Sequence, residues 1–249
     1  MGKGPGMLAD RIGTVLILLT GAMVLVALYA VFFVAPYEQT MGISQKIFYF
    51  HVGAAMNMLF SFGVCALAGM VYLASRPFVG ARARRWSLLA DAVGVATAEV
   101  GVTLGAMVMI TGPLWARKAW GTYWTWEPRL TLSLMIFLLF LAYLALRAFA
   151  GGDRFGRAVA AGLSILGIPG IYFIHFAVER WGGAHPQVVY QGGLDDAPRM
   201  RVAFYLSALT MFLVTSLLSW VRARIEIRRQ AIDDLYLEVD LRDGWTENV

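Results

Sequence analysis

The chain has three histidines, His51, His175 and His185, and a single cysteine, Cys65. A neutral imidazole nitrogen is a good ligand for first-row metals, iron included. His51 stands in Phe48-Tyr49-Phe50-His51-Val52, and His185 in Trp181-Gly182-Gly183-Ala184-His185-Pro186. Two such segments, far apart in the chain, can approach one metal from two sides. Haem iron takes two axial ligands on opposite faces, and that is the chemistry this pair suits. The lone cysteine excludes an internal disulfide and an iron–sulfur cluster held by four thiolates. No Cys-x-x-Cys-His occurs, so a haem here is not attached covalently in the c-type manner. His175 reads as a residue at a membrane interface, with a supporting role behind a metal ligand as the weaker alternative.

Between the two histidines lies Trp115-Ala116-Arg117-Lys118-Ala119-Trp120-Gly121-Thr122-Tyr123-Trp124-Thr125-Trp126-Glu127-Pro128-Arg129-Leu130-Thr131. Four of the eight tryptophans fall within twelve residues of this stretch. Tryptophan favours the lipid–water boundary, and Trp86 and Trp220 fit such an aromatic belt. A belt needs one or two rings per helix end, so four in one segment favours a ligand platform. A planar, largely apolar macrocycle with anionic propionates calls for stacking faces with cations nearby. Arg117, Lys118 and Arg129 supply the cations, with Arg129 and either Arg117 or Lys118 placed to pair with the propionates.

The elements that must position these residues are membrane spans. The composition is 59% hydrophobic and 15% charged, whereas a soluble domain carries about a quarter charged residues. Ile12–Ala35 has no charge and as a helix extends about 36 Å, more than the ~30 Å hydrocarbon core. It reads as a retained anchor, being longer than the apolar core of a cleaved signal peptide. Five further spans follow: Val52–Ser75, Ser87–Thr111, Leu130–Ala150, Ala158–Val178 and Val202–Val221. Of the 21 basic residues, most lie in the N-terminus, the second and fourth loops and the tail. The positive-inside rule therefore puts both termini in the cytoplasm, which accounts for the net charge of +5 without nucleic acid. Three connections then face outward, 36–50, 112–129 and 179–200; His51 stands where the first meets the second span, and the other two hold the tryptophan-rich stretch and His185. The expected fold is an all-α integral membrane protein, a six-transmembrane-helix bundle with a haem site at its outer face. Residues 1–221 form the membrane domain, with the tryptophan-rich outer loop at 112–129, and 222–249 form a cytoplasmic tail, a partly helical surface segment. Gly167, Pro169 and Gly170 predict a kink or a close helix contact in the fifth span. Gly94, Gly101 and Gly105 in the third suit close helix packing in lipid.

The stretch Trp120-Gly121-Thr122-Tyr123-Trp124-Thr125-Trp126-Glu127-Pro128-Arg129-Leu130-Thr131 resembles the WWD signature of haem-handling proteins. With the Arg129-Leu130-Thr131 ending, Gln39-Thr40-Met41-Gly42, Phe48-Tyr49-Phe50-His51-Val52 and six spans, nearly the whole chain resembles the CcmC family of cytochrome c maturation. Tyr123 stands where a tryptophan is common in that family, and Glu127 where an aspartate is common. Around His185 the match is looser, with the Trp181-to-His185 spacing kept. The resemblance implies that His51 and His185 are the axial ligands of a non-covalent haem b. It implies that Trp120, Tyr123, Trp124, Trp126, Glu127 and Arg129 complete the haem-binding surface. The implied role is to present haem on the outer, periplasmic side of the plasma (inner) membrane to a membrane-anchored haem chaperone. An ATP-binding-cassette transporter complex and a small accessory membrane subunit are the implied partners. Such a protein delivers haem and need not have turnover chemistry of its own.

Three other functions share some of these features. A cytochrome c synthase has the tryptophan signature but continues Pro-Lys-Glu and needs more spans. A haem-independent small-molecule transporter places its site at the midplane on broken helices, which would draw on Glu99 and the Gly167–Gly170 break. A b-type electron-transfer subunit places histidine pairs within spans. An ionisable residue inside a span suggests function, yet Glu99 is expected as a protonated acid hydrogen-bonded to a neighbour such as Asn57. Asp91, nearer the inner surface, is expected to pair with Arg84 or Arg85.

Overall fold

The computed structural model describes residues 5–150, 153–186, 194 and 197–246. The apolar runs in it are helical, as hydrocarbon demands: a helix satisfies its backbone N–H and C=O groups within one segment. Among the described residues, six stretches are long and apolar enough to cross a membrane: Arg11–Val34, Ile43–Ser75, Ala81–Trp120, Pro128–Phe149, Arg154–Trp181 and Pro198–Tyr236. Each covers the span expected from the sequence to within a residue, and the protein is a multi-pass membrane protein. The helices are α1 (Pro5–Tyr29), α2 (Ile47–Ser75), α3 (Ala81–Trp120), α4 (Pro128–Phe149), α5 (Arg154–Leu166), α6 (Ile168–Trp181) and α7 (Pro198–Thr246). A single π-helical turn, Ala30–Val34, ends α1, and a 3₁₀ turn, Ile43–Lys46, leads into α2.

Helix α2 is the hub, packing on α3, α5 and α7, while α4 packs on α3, α5 and α6. Without a hydrophobic drive in lipid, such contacts depend on close fit and small residues. Phe62 of α2 stacks on Phe140 of α4 at 3.8 Å with planes 6° apart. Gly101 and Gly105 let α3 approach the rings of Phe62 and Phe137, as expected from the sequence. The tightest backbone approach is at Gly69, where an added Cβ would lie 2.6 Å from Ser164 Oγ and 3.0 Å from the Ala161 carbonyl oxygen. The carbonyl belongs to α5 and cannot rotate aside. Gly69→Val is therefore expected to force α2 and α5 apart, destabilising by about 1–3 kcal/mol. Thermal unfolding of the detergent-purified variant, followed by tryptophan fluorescence, measures this; an unchanged midpoint would contradict the packing.

The fifth span breaks at Gly167, as the sequence predicts. Pro169 lies in the first turn of α6, where its missing N–H costs nothing. The break lets α5 stay on α2 while α6 turns to α4, with Gly170 against the Ile136 side chain.

The end of the bundle formed by the start of α3 and the end of α4 holds a charge network that differs from expectation. Asp91 is paired with neither Arg84 nor Arg85. Its Oδ2 accepts from Arg147 Nη2 at 3.0 Å and Gln230 Nε2 at 2.9 Å, with Arg157 Nε 3.6 Å away. Arg84 instead pairs with Asp234 at 2.8 Å. Glu99 is not bonded to Asn57, whose side-chain amide donates to the Gly53 carbonyl. Both Glu99 oxygens accept from Arg222, which also reaches Glu226 at 3.1 Å. The cation that Glu99 lacked in the sequence comes from the segment expected to be a partly helical surface tail. Helix α7 runs unbroken past Val221, antiparallel to α3, setting Arg222, Gln230 and Asp234 opposite Glu99, Asp91 and Arg84. Glu226 and Gln230 are buried in that seam.

Candidate functional site

At the opposite end, a cavity of about 520 Å³ is walled by α2, α3, α4, α6 and the segment after α6. That volume is in the range of pockets that take small molecules and cofactors. His51, Trp120, Trp124, Arg129 and His185 all line it. Residues 112–120, expected as loop, are the last turns of α3, which ends at Gly121 in the left-handed conformation (φ +75°). Arg117 is drawn back onto that end: its guanidinium donates to the Gly121 carbonyl and lies 5.6 Å from the centre of the Tyr123 ring. Lys118 is exposed.

His51 sits one turn into α2, 2.9 Å from Thr111 Oγ1 through Nδ1. The Thr111 hydroxyl donates its one proton to the Met107 carbonyl at 2.7 Å. Its oxygen must therefore accept from His51 Nδ1–H, which fixes the tautomer and leaves the lone pair on Nε2. The start of α2 is itself anchored. Lys46, 4% exposed, donates from Nζ to the carbonyls of Val31 (2.7 Å) and Ala35 (2.5 Å). This satisfies carbonyl groups freed where α1 loosens into its π-turn.

His185 is brought over the cavity by Gly182 (φ +74°) and Gly183 (φ +149°), which reverse the chain after α6. Burial pushes the pKa of its imidazole down to about 3, and the charge of Arg129 acts in the same direction. It is thus neutral at physiological pH, the form that binds metal. Glu127 Oε1 stands 4.0 Å from His185 Nδ1, and a neutral ring makes no ion pair at that distance. The other oxygen of Glu127 accepts the Ala184 N–H at 2.7 Å. Glu127 precedes Pro128, the first residue of α4, so its backbone is fixed while its side chain ties down the segment bearing His185. An added Cβ on Gly183 would lie 2.8 Å from the same carboxylate. Both φ and space require glycine there.

The aromatic residues divide into two groups. Trp120 and Trp124 line the cavity, with Trp120 edge-on to His185 at 6.4 Å and to Trp115 at 5.6 Å. Trp126, 77% exposed, packs edge-on to Trp124, and Tyr123 is 57% exposed. These two are at the rim. The sequence missed Thr111 and Lys46 as contributors. His175 also lines the cavity. Nothing in a lone threonine or lysine announces such a contact before the helices are paired. Among the described residues, no three His, Cys, Asp or Glu side chains gather as a metal cage. A macrocycle that brings its own four nitrogens needs only the two axial positions.

Fold and cavity together define a polytopic helical membrane protein with a tryptophan- and imidazole-lined cavity at one end of its bundle. The family model for CcmC, Heme exporter protein C, matches residues 6–238, and the chain belongs to that family. It is similar to Heme exporter protein C of Bradyrhizobium diazoefficiens, 34% identical over 200 residues, covering 78% of this chain and 72% of the relative. The protein of that name from Paracoccus denitrificans is 30% identical, covering 80% of each chain. The one from Escherichia coli K12 is also 30% identical, covering 82% of this chain and 81% of the relative.

Proposed function

We propose that this protein binds haem b non-covalently at the outer, periplasmic face of the plasma (inner) membrane and presents it to a membrane-anchored haem chaperone during cytochrome c maturation. The observation that carries this is the convergence of His51 and His185, from separate elements, on one tryptophan-walled cavity that also holds Arg129. The name shared by the relatives supplies haem as the cargo. His51 Nε2 and His185 are the axial ligands; Trp120 and Trp124 lie against the macrocycle, and Arg129 pairs with a propionate. Tyr123 and Trp126, exposed at the rim, give an edge at which a chaperone can meet the haem. Glu127 holds His185 in place. The protein's work is to bind, orient and release, with no bond made in the macrocycle. The excess of basic residues at the α3-start end supports the orientation with both termini cytoplasmic. An ATP-binding-cassette complex and a small accessory subunit are the proposed partners that drive the cycle.

The test is a visible absorption spectrum of detergent-purified protein beside a His51→Ala, His185→Ala double variant. The wild type is expected to show a Soret band that the double variant loses or shifts. A wild type that takes up no hemin on reconstitution would refute the proposal.

A further inference from the structure

We infer that His175 is a third ligand to the same cargo, one that exchanges with His185; this rests on the haem-binding function proposed above. The break at Gly167 carries α6 away from α2 and onto α4. Ile171, Ile174 and His175, on one face of α6, thereby become cavity wall. Ile174 is 3% exposed, whereas the His175 side chain next to it is open. Much of the rest of the cavity wall is apolar, Met56, Leu59 and Ile171 included. Among the described residues, the hydrogen bond of His175 is a long one, from Nδ1 to the Ile171 carbonyl at 3.4 Å, one helical turn back. With the proton on Nδ1, the lone pair is on Nε2 and available to a metal.

The three imidazoles are held with unequal firmness. His51 is inside α2 and bonded to α3 through Thr111. His185 lies in the non-helical stretch after α6 and is fixed mainly through the neighbouring Ala184 N–H on Glu127. A cargo bound by two axial ligands leaves only when one Fe–N bond breaks. His175 allows that bond to be replaced as it breaks: one Fe–N bond forms while another is lost, with no electron transferred and no net proton released. His51 is then the constant ligand, and His185 and His175 alternate opposite it, the second arrangement freeing the segment 182–186 from the cargo.

The experiment loads wild type, His185→Ala, His175→Ala and the His185→Ala, His175→Ala double variant with hemin in detergent. Absorption and electron paramagnetic resonance then report the coordination of the iron. His185→Ala is expected to remain six-coordinate and low-spin through His51 and His175. The double variant is expected to become five-coordinate and high-spin and to hold hemin at least about 100-fold less tightly, more than loss of a group that only positions a ligand. Free imidazole returning the double variant to low spin separates loss of a ligand from loss of the fold. His175→Ala alone is expected to pass hemin to apomyoglobin about tenfold more slowly than wild type. A high-spin His185→Ala variant, or transfer by His175→Ala at the wild-type rate, overturns the exchange while leaving haem binding intact. Absence of hemin from the wild type overturns both.

Discussion

Glu127→Ala is expected to lower hemin affinity by about 10- to 100-fold, with every proposed ligand still in the chain. The effect is large because one carboxylate joins two elements. Its backbone caps α4 beside Pro128, and its side chain is 9% exposed between α4 and the segment after α6. Removing it leaves the Ala184 N–H unpaired and frees residues 182–186, so His185 must be ordered again each time haem binds. It also removes the carboxylate oxygen that stands 4.0 Å from His185 Nδ1, a separation too long for a hydrogen bond. Glu127→Gln keeps the length and one oxygen acceptor, so it should fall between wild type and alanine. Glu127→Asp draws the carboxylate back by one methylene and should lose the Ala184 bond unless the segment follows. Hemin titration followed at the Soret band ranks the three. An alanine variant that binds as wild type would show that the segment is held by something other than Glu127.

Where the sequence was legible, and where it was not, follows from the range of the interactions. Spans, the Gly167 break and the tryptophan cluster are local: length, composition and backbone chemistry declare them within a few residues. The convergence of His51 and His185 could be inferred because alternating spans put their segments on one side. What stayed hidden depended on register between helices. Glu99 looked unpartnered because Arg222 is 123 positions away, beyond the apparent end of a span and in a segment whose charges suggested a tail. Asp91 has Arg84 and Arg85 seven and six residues before it on its own helix, within apparent reach, yet its partners come from α4, α5 and α7. Residues 112–120 read as loop because of Gly112, Pro113 and the charges at Arg117 and Lys118. The helix nonetheless runs through Pro113 to Trp120, although proline removes one donor and crowds the carbonyl four residues back. Trp126 and Tyr123 could not be told from Trp120 and Trp124 by composition, since which ring faces the cavity depends on where α3 ends.

The second large effect is expected at the other end of the bundle, far from any cargo. Asp91→Ala should destabilise the protein by about 3–5 kcal/mol, the penalty for leaving buried charges without their counter-ion. The Asp91 side chain is 5% exposed, and those of Arg147 and Arg157 are 10% and 14% exposed. One carboxylate thus neutralises two guanidinium groups while Gln230 binds the same oxygen. Four helices, α3, α4, α5 and α7, meet at this oxygen, so the loss is not confined to one contact. Surface pairs give a contrast within the same protein. Arg84 and Asp234 are 67% and 42% exposed, and Asp234→Ala should cost at most about 1 kcal/mol. Because α4 and α5 lead to Arg129 and to α6, a loosened junction should also broaden the Soret band of bound haem without removing it. Thermal unfolding of Asp91→Ala, Arg147→Ala and the double variant forms a cycle that isolates the interaction. If the single variants are each strongly destabilised and the double is little worse, the buried pair is the cause. Strictly additive losses would mean that Asp91 and Arg147 act separately, and that the α3–α4 contact depends on its apolar packing alone.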